Sequence, residues 1–221
     1  MLAAAAVRGQ SNYVYNFTEN QAIPAGNPVG LSFSTNLTGM SFGGSMSISN
    51  VTVSLDISGG FNGNLYAYLV GPDGAFAVLL NRVGVSSGNA FGYANSGFNI
   101  TLNDLVNSGN VHSYQNDSPS YNGSGQLTGT WAADGKNIDP NSSPSAFDSA
   151  LDTAGLLNLA GGNPDGLWTL FVADLASGPP STIVSWGLDI TTVPEPPALA
   201  LAGLGGMAAL VVCFRRRVGN D

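Results

Sequence analysis

The sequence predicts an all-β protein: an antiparallel β-sandwich followed by one C-terminal transmembrane helix. Three observations carry that prediction. Short segments alternate apolar and polar residues with period two, most cleanly Val51–Ile57 and Val184–Ile190. Gly, Pro, Asn and Asp punctuate the chain between them, and no amphipathic helical pattern of useful length intervenes. Near the end an unbroken apolar run, Ala198–Phe214, stops at three consecutive arginines.

The chain opens Met1-Leu2-Ala3-Ala4-Ala5-Ala6-Val7, too short for a complete export signal and without a basic start. Ala4-x-Ala6 has the small-residue character of a signal's end. Residues 1–12 therefore read as the remnant of an export signal or a disordered start, and 13–192 as the domain. Tyr13–Phe17 alternates as a first strand, Ile23–Pro28 is a turn-rich break, and Leu31–Ser34 is a second short strand. Val51–Ile57 buries one face. Asn64–Val70 is apolar or aromatic almost throughout, which predicts cover on both faces. Gly71-Pro72-Asp73-Gly74 is a tight turn that returns the chain as Ala75–Leu80, making a hairpin.

Phe98–Leu102 alternates again. Residues 103–148 are loop-rich, with Trp131 and Phe147 as the side chains to anchor them and a helical turn around 146–157. Two strong strands close the domain. Leu167–Ala173 follows the turn Asn163-Pro164-Asp165-Gly166, and Ile183–Ile190 places Val184, Trp186, Leu188 and Ile190 on one face.

Charge narrows the partners. Charged residues are only 9% of the 221, against about 25% in an ordinary soluble domain. Three of the six basic residues are Arg215, Arg216 and Arg217; before Val193 only Arg8, Arg82 and Lys136 face twelve acids, a formal charge of −9. Such a domain does not bind nucleic acid or an anionic membrane surface. Solubility is the simplest use of its acids. The sole cysteine is Cys213, inside the apolar run, so the domain has no disulfide, thiolate metal site or cysteine nucleophile.

Catalytic constellations are thin. His112 is the only histidine, in a loop-rich stretch, and reads as a solvated loop residue; no Gly-x-Ser-x-Gly elbow accompanies it. Asp73, Asp134 and Asp165 stand in Asp-Gly turns, and no pair of acids stands out for glycoside hydrolysis. These features predict a non-enzyme without a catalytic cofactor. A structural calcium is the one cofactor the loops suggest: Asp134, Asn137 and Asp139, with Asn141, or alternatively Asp148 and Asp152, offer oxygen ligands in the manner calcium takes them. Tyr66, Tyr68, Tyr93, Tyr114 and Tyr121 offer an aromatic platform for carbohydrate; the plainer expectation packs Tyr66 and Tyr68 inside the sandwich and uses the others to pin loops.

Asp165-Gly166-Leu167-Trp168-Thr169-Leu170-Phe171-Val172-Ala173-Asp174, followed by Ser185-Trp186-Gly187-Leu188-Asp189-Ile190, resembles the end of the P domain (P/Homo B domain). The family motif falls on Gly166, Trp168, Leu170, Asp174, Trp186 and Leu188. Val51–Leu80 is similar to that family's opening, except that Gly63-Asn64-Leu65 stands where it has Gly-Asp-Leu and Ser58-Gly59 where it often has His-Thr. The resemblance covers about 47–192. It implies a jelly-roll-like sandwich of the galactose-binding type, best known as an accessory domain of subtilisin-like proteases.

The tail carries a second resemblance. Pro194-Glu195-Pro196, the span 198–214 and Arg215–Arg217 resemble the PEP-CTERM sorting signal of Gram-negative bacteria, occupying 193–221. As a helix the span reaches about 26 Å, just enough for a hydrocarbon core of ~30 Å, with the arginines on the cytoplasmic side. The resemblance implies an exosortase as partner, a membrane-held intermediate, tail removal near the motif, and delivery to the envelope, surface or extracellular matrix. The expected function is an exported, non-catalytic structural or adhesive module, with exopolysaccharide or a secreted protease as partner. Its alternatives are an accessory module for a secreted subtilisin-like protease and a lectin-like carbohydrate-binding domain.

Overall fold

The structure, a computed structural model, describes residues 9–41 and 46–194. Two sheets form it. Strands β1 (Ser11–Ile23), β3 (Met46–Gly59), β6 (Gly97–Leu102), β7 (Ser120–Tyr121), β8 (Leu127–Trp131) and β10 (Ser181–Pro194) make a six-stranded sheet in the order β1-β10-β3-β6-β8-β7. Strands β2 (Asn27–Leu37), β4 (Leu65–Val70), β5 (Phe76–Asn81) and β9 (Gly166–Asp174) make a four-stranded sheet in the order β2-β9-β4-β5. One hydrophobic core unites the inward residues of both, among them Val53, Leu55 and Ile57 of β3, Leu65, Ala67 and Leu69 of β4, Trp168 and Leu170 of β9, and Trp186 and Leu188 of β10. The all-β sandwich is thus as the alternating segments predict, since each strand hides one face and leaves the other to solvent.

The alternating segments are the cores of longer strands. β1 and β2 run well beyond Tyr13–Phe17 and Leu31–Ser34, and the break at Ile23–Pro28 carries the chain from one sheet to the other. The predicted turn closes the β4–β5 hairpin, with the Gly74 amide donating to the Gly71 carbonyl at 3.0 Å and Gly74 at φ +76°. The helical turn splits in two: a short helix α1 (Pro144–Ser149) and a 3-10 turn at Leu156–Leu159.

Four expectations change. The sheets are not wholly antiparallel, because β6 and β8 run parallel, Phe98 opposite Leu127 through Leu102 opposite Trp131. The loop-rich stretch between them returns the chain to its starting end, which a parallel pairing requires. β7 and β8 themselves sit where no strand is expected, in a stretch dominated by loop-forming residues. β4 is covered on one face only: Leu65, Ala67 and Leu69 are buried while Tyr66, Tyr68 and Val70 are half-exposed on the outside. Finally, Val184 does not join the inward row of β10. The register shifts between Ile183 and Ser185, so Ile183 takes the core position opposite Ile57 and Val184 stays half-exposed. A bulge inserts one residue and inverts the alternation behind it.

Both strand ends nearest the termini meet at one end of the larger sheet. Ser11 lies opposite Thr192, and Pro194, the last residue of β10, lies opposite Met46. The bulge gives a direct test. Ile183→Ala is expected to cost about 2–5 kcal/mol in urea denaturation, as for a buried isoleucine, and Val184→Ala under about 1 kcal/mol. Unbroken alternation would give the opposite order.

Candidate functional site

The motif residues of the closing strands lock the two sheets together. Gly166 opens β9 at φ +134°, and a Cβ there would meet Pro72 Cβ at 2.8 Å, so only glycine lets the two turns approach. Trp168 is fully buried and its indole Nε1 donates to the Pro164 carbonyl at 3.0 Å. Trp186 packs on Phe17 with ring centroids 4.4 Å apart and donates from Nε1 to Glu19 Oε1 at 3.0 Å. Leu170 and Leu188 fill the core between the sheets.

Asp174 ends β9, buried. Burial pushes its carboxyl pKa up, only partly opposed by hydrogen bonds from Ser181 Oγ, the Ala176 amide and the Asn64 side chain. Asn64, in Gly63-Asn64-Leu65, thus serves as an amide donor to the buried carboxylate.

His112 is not a solvated loop residue. It is buried: Nδ1 donates to Asp134 Oδ2 at 2.8 Å and Nε2 to the Val85 carbonyl at 3.1 Å, with the ring stacked on Phe147 at 5.8 Å. Both ring nitrogens face oxygen acceptors, an arrangement that favours the doubly protonated ring. Burial works against that charge, but the hydrogen bond and attraction of Asp134 and the Val85 carbonyl outweigh it, leaving the pKa raised. Such a ring has no free nitrogen with which to activate a serine. Its chemistry is to hold the chain around Val85, the 3-10 segment Val111–Asn116, the turn at Asp134 and α1 in one place. Sequence spacing could not reveal this, because Asp134 is twenty-two residues away across a loop.

The residues with calcium-like spacing serve different partners. Asp134 Oδ2 accepts from His112 and from the Asn81 amide at 2.9 Å, and its Oδ1 from the Lys136 amide at 3.3 Å. Asp139 caps its own turn by accepting from the Asn141 amide, and Asn137 is exposed. Asp148 accepts from the Ser87 amide, while Asp152 pairs with Lys136 Nζ at 2.9 Å. Among the described residues no three His, Cys, Asp or Glu side chains gather as metal ligands.

The five tyrosines do not form one platform. Tyr114 is fully buried; its hydroxyl donates to Asn95 Oδ1 and accepts from Asn62 Nδ2, and burial raises its pKa strongly. Tyr93 packs edge-on against it at 4.7 Å, so these two do pin loops. Tyr121 is exposed on β7. Tyr66 and Tyr68 lie outside the sandwich, where Tyr68 stacks on Phe171 at 4.7 Å and touches Phe76 at 5.0 Å. Period two puts them there, opposite Leu65, Ala67 and Leu69.

Trp131 and Phe147 are buried anchors, as expected. The buried amides are what the sequence hid. Asn62 holds Gly97 through both its amide atoms, and Gln126 reaches Asp56, Ile57 and Phe98. In a chain so rich in Asn, Ser and Thr no local signal marks these from the solvated polar residues around them.

Of the sorting residues, Pro194 is in place at the end of β10; Glu195, Pro196, the span 198–214 and Arg215–Arg217 lie outside the described residues, as does the start of the chain to residue 8. Among the described residues no helix is long and apolar enough to cross a membrane. The family described as the PEP-CTERM protein-sorting motif matches residues 192–217, so the chain carries that motif. No curated protein matches the chain. Similar solved structures include two from Aeromonas sobria. One is the Aeromonas sobria serine protease in complex with the chaperone ORF2, at 13% identity and TM-score 0.45, covering 87% of this chain and 28% of that one. The other is the serine protease of Aeromonas sobria, at 14% identity and TM-score 0.46, covering 85% of this chain and 28% of that one. The chain thus spans little more than a quarter of the length of either.

The His112 clamp has a definite pH signature. Its folded pKa lies above the ordinary histidine value of about 6.5, so its contribution is complete below that value and is lost as pH rises through the folded value. Asp134 and Lys136 are the charged groups facing it, and Asp152 pairs with Lys136. In urea melts across pH, His112→Gln is expected to lose most stability relative to the parent at acid pH, with the gap narrowing on the alkaline side. A gap constant with pH would exclude a charged ring.

Proposed function

We propose that the chain is an exported, non-catalytic β-sandwich, delivered through its sorting motif to the cell surface or extracellular matrix of a Gram-negative bacterium, where it serves a structural or adhesive role. The observation that carries this reading is the junction between motif and fold. The matched segment starts at Thr192, and β10 ends at Pro194. Thr192 is buried and faces both Ser11 and Ile48 in the sheet. The sorting motif therefore begins inside an interior strand of the sheet.

The span 198–214 holds the intermediate in the membrane, an exosortase recognises Pro194-Glu195-Pro196, and the released product is the acidic, cysteine-free sandwich. The engagement of both His112 nitrogens supports a role without catalysis. The second reading, an accessory module for a secreted protease, draws on the closing-strand motif, in which Trp168, Asp174 and Trp186 occupy interlocking positions. Co-purification with a secreted protease from the native host separates the two.

Residues through Pro194 are held in a ladder and are not free to enter a protease as an extended chain. The mature protein from its native host is therefore expected to end at or beyond Pro194 by intact mass, with Arg215–Arg217 gone. Changing Pro194, Glu195 and Pro196 together to alanine is expected to leave a full-length, membrane-held chain. A mature terminus before Pro194, or an untouched tail in a host with an active exosortase, would overturn the reading.

A further inference from the structure

We propose that the outer face of the six-stranded sheet is a binding trough for a neutral polysaccharide strand. The inference deepens the surface-module reading above by naming its partner. Its starting point is register. Asn16, Gly187, Ser54, Thr101 and Thr130 lie opposite one another across β1, β10, β3, β6 and β8. The next row, two residues along each strand, is Thr18, Ser185, Asp56, Asn99 and Thr128. Nine side chains in two unbroken rows are all hydroxyl, amide or carboxylate. Five strands at about 4.8 Å spacing make each row roughly 19 Å long.

The rows are also a depression. A hollow across β1, β10 and β3 shares Ser54 and Thr101 with a second hollow across β3, β6 and β8. That one shares Gly129 and Thr130 with a third, which continues to Asn107, Asn116 and Asp117 of the loops beyond β8. Residue size is the cause. An ordinary exposed sheet face carries long Lys, Glu and Arg side chains. Here every side chain is short, Gly187 has none, and Ser54 and Asn16 lean toward the space above it. The sheet surface is left open as a continuous trough.

One group in it is braced from behind. Asp56 Oδ1 accepts from Gln126 Nε2 at 2.7 Å, and buried Gln126 is fixed in turn by the Ile57 and Phe98 carbonyls. A carboxylate held in one rotamer is a preorganised acceptor. The occupant follows from the chemistry. No lysine or arginine lies in either row, and Asp56, Asp117 and Asp189 line the hollows, so an anionic polymer is disfavoured. Val14 is the one exposed large apolar side chain lining them, so nothing receives the apolar side chains of a peptide. Closely spaced hydroxyl, amide and carboxylate groups along an extended trough suit the donors and acceptors of an uncharged, hydroxyl-rich chain.

The test is electrophoresis of the full chain in neutral detergent through gels containing hydroxyethylcellulose, dextran or galactomannan, with alginate as the anionic control. At least one neutral polymer is expected to retard the protein. Ser54→Arg, which fills the middle of the trough, is expected to weaken retardation more than about tenfold, and Thr101→Val about fivefold, the loss of one hydrogen bond. Thermal melts confirm that each variant is folded; if Ser54→Arg is not, the near-isosteric Thr101→Val and Thr130→Val decide. No retardation of the folded protein by any of the three neutral polymers, retardation unchanged in the variants, or stronger retardation by alginate overturns the proposal. Since the readout is binding by purified protein, its failure leaves the mass of the mature chain, and hence the sorting reading, untouched.

Discussion

Both sheets depend on late strands placed between early ones. β10 lies between β1 and β3, and β9 between β2 and β4. In the described structure β1 has no other sheet partner than β10, nor β2 any but β9. Removing the last two strands would leave the first two unpaired and the core open along one side. A strand in that position has little tolerance for register error, since a slip of one residue turns every core side chain outward. The irregularities in β10 fix its phase: one bulge at Val184 and another register shift between Thr191 and Thr192. Trp186, bonded to Glu19 and packed on Phe17, ties the same strand to the edge strand that needs it. The motif residues cluster on β9 and β10 because those strands carry the assembly.

The loops pose a different problem. Residues 103–165 hold little regular structure, and a cysteine-free domain has no disulfide to close them. Carboxylates replace it. Asp73 accepts from the Asn163 amide, Asp104 from Ala133 and Leu157, Asp134 from Asn81, Asp148 from Ser87, and Asp165 from Met40 and Ser41. Each bond joins segments far apart in sequence, and an ionised acceptor makes a stronger bond than a neutral one. For Asp165 the burial that would raise its pKa is outweighed by amide and hydroxyl donors, which hold it below the usual carboxylate range. The acidic balance of the domain is therefore partly wiring, more than the solubility that composition alone suggests. His112 complements the scheme: buried beside Asp134, it meets the carboxylate from the other side.

What the sequence disclosed divides along the same line. Val51–Ile57 and the closing strands are legible because burial of one face imposes period two on residues that are adjacent in the chain. The turn Gly71–Gly74 is legible because proline and glycine set local dihedrals. The clamp of His112 on Asp134, the Asn62 latch and the parallel pairing of β6 with β8 arise from segments that meet only after folding, and no local pattern encodes them. Tyr66 and Tyr68 show the limit of composition: their apolar character suggests burial, while their phase against Leu65, Ala67 and Leu69 places them outside. The trough is of the same kind. Ser54, Thr101 and Thr130 are individually unremarkable polar residues, and only register aligns them into rows.

The position of β10 also links folding to sorting. The strand is the last of the domain and is continuous with the matched motif, so the larger sheet cannot close until the chain has emerged as far as Pro194. Before that point β1 waits without a partner, and its pairing with β10 spans nearly the whole domain, the kind of long-range contact that forms late and slowly. The segment that follows is the one read as membrane-spanning and recognised for processing. Completion of the sheet and presentation of the tail therefore happen at the same stretch of chain. Once β10 is seated between β1 and β3, its ladder holds the chain as far as Pro194.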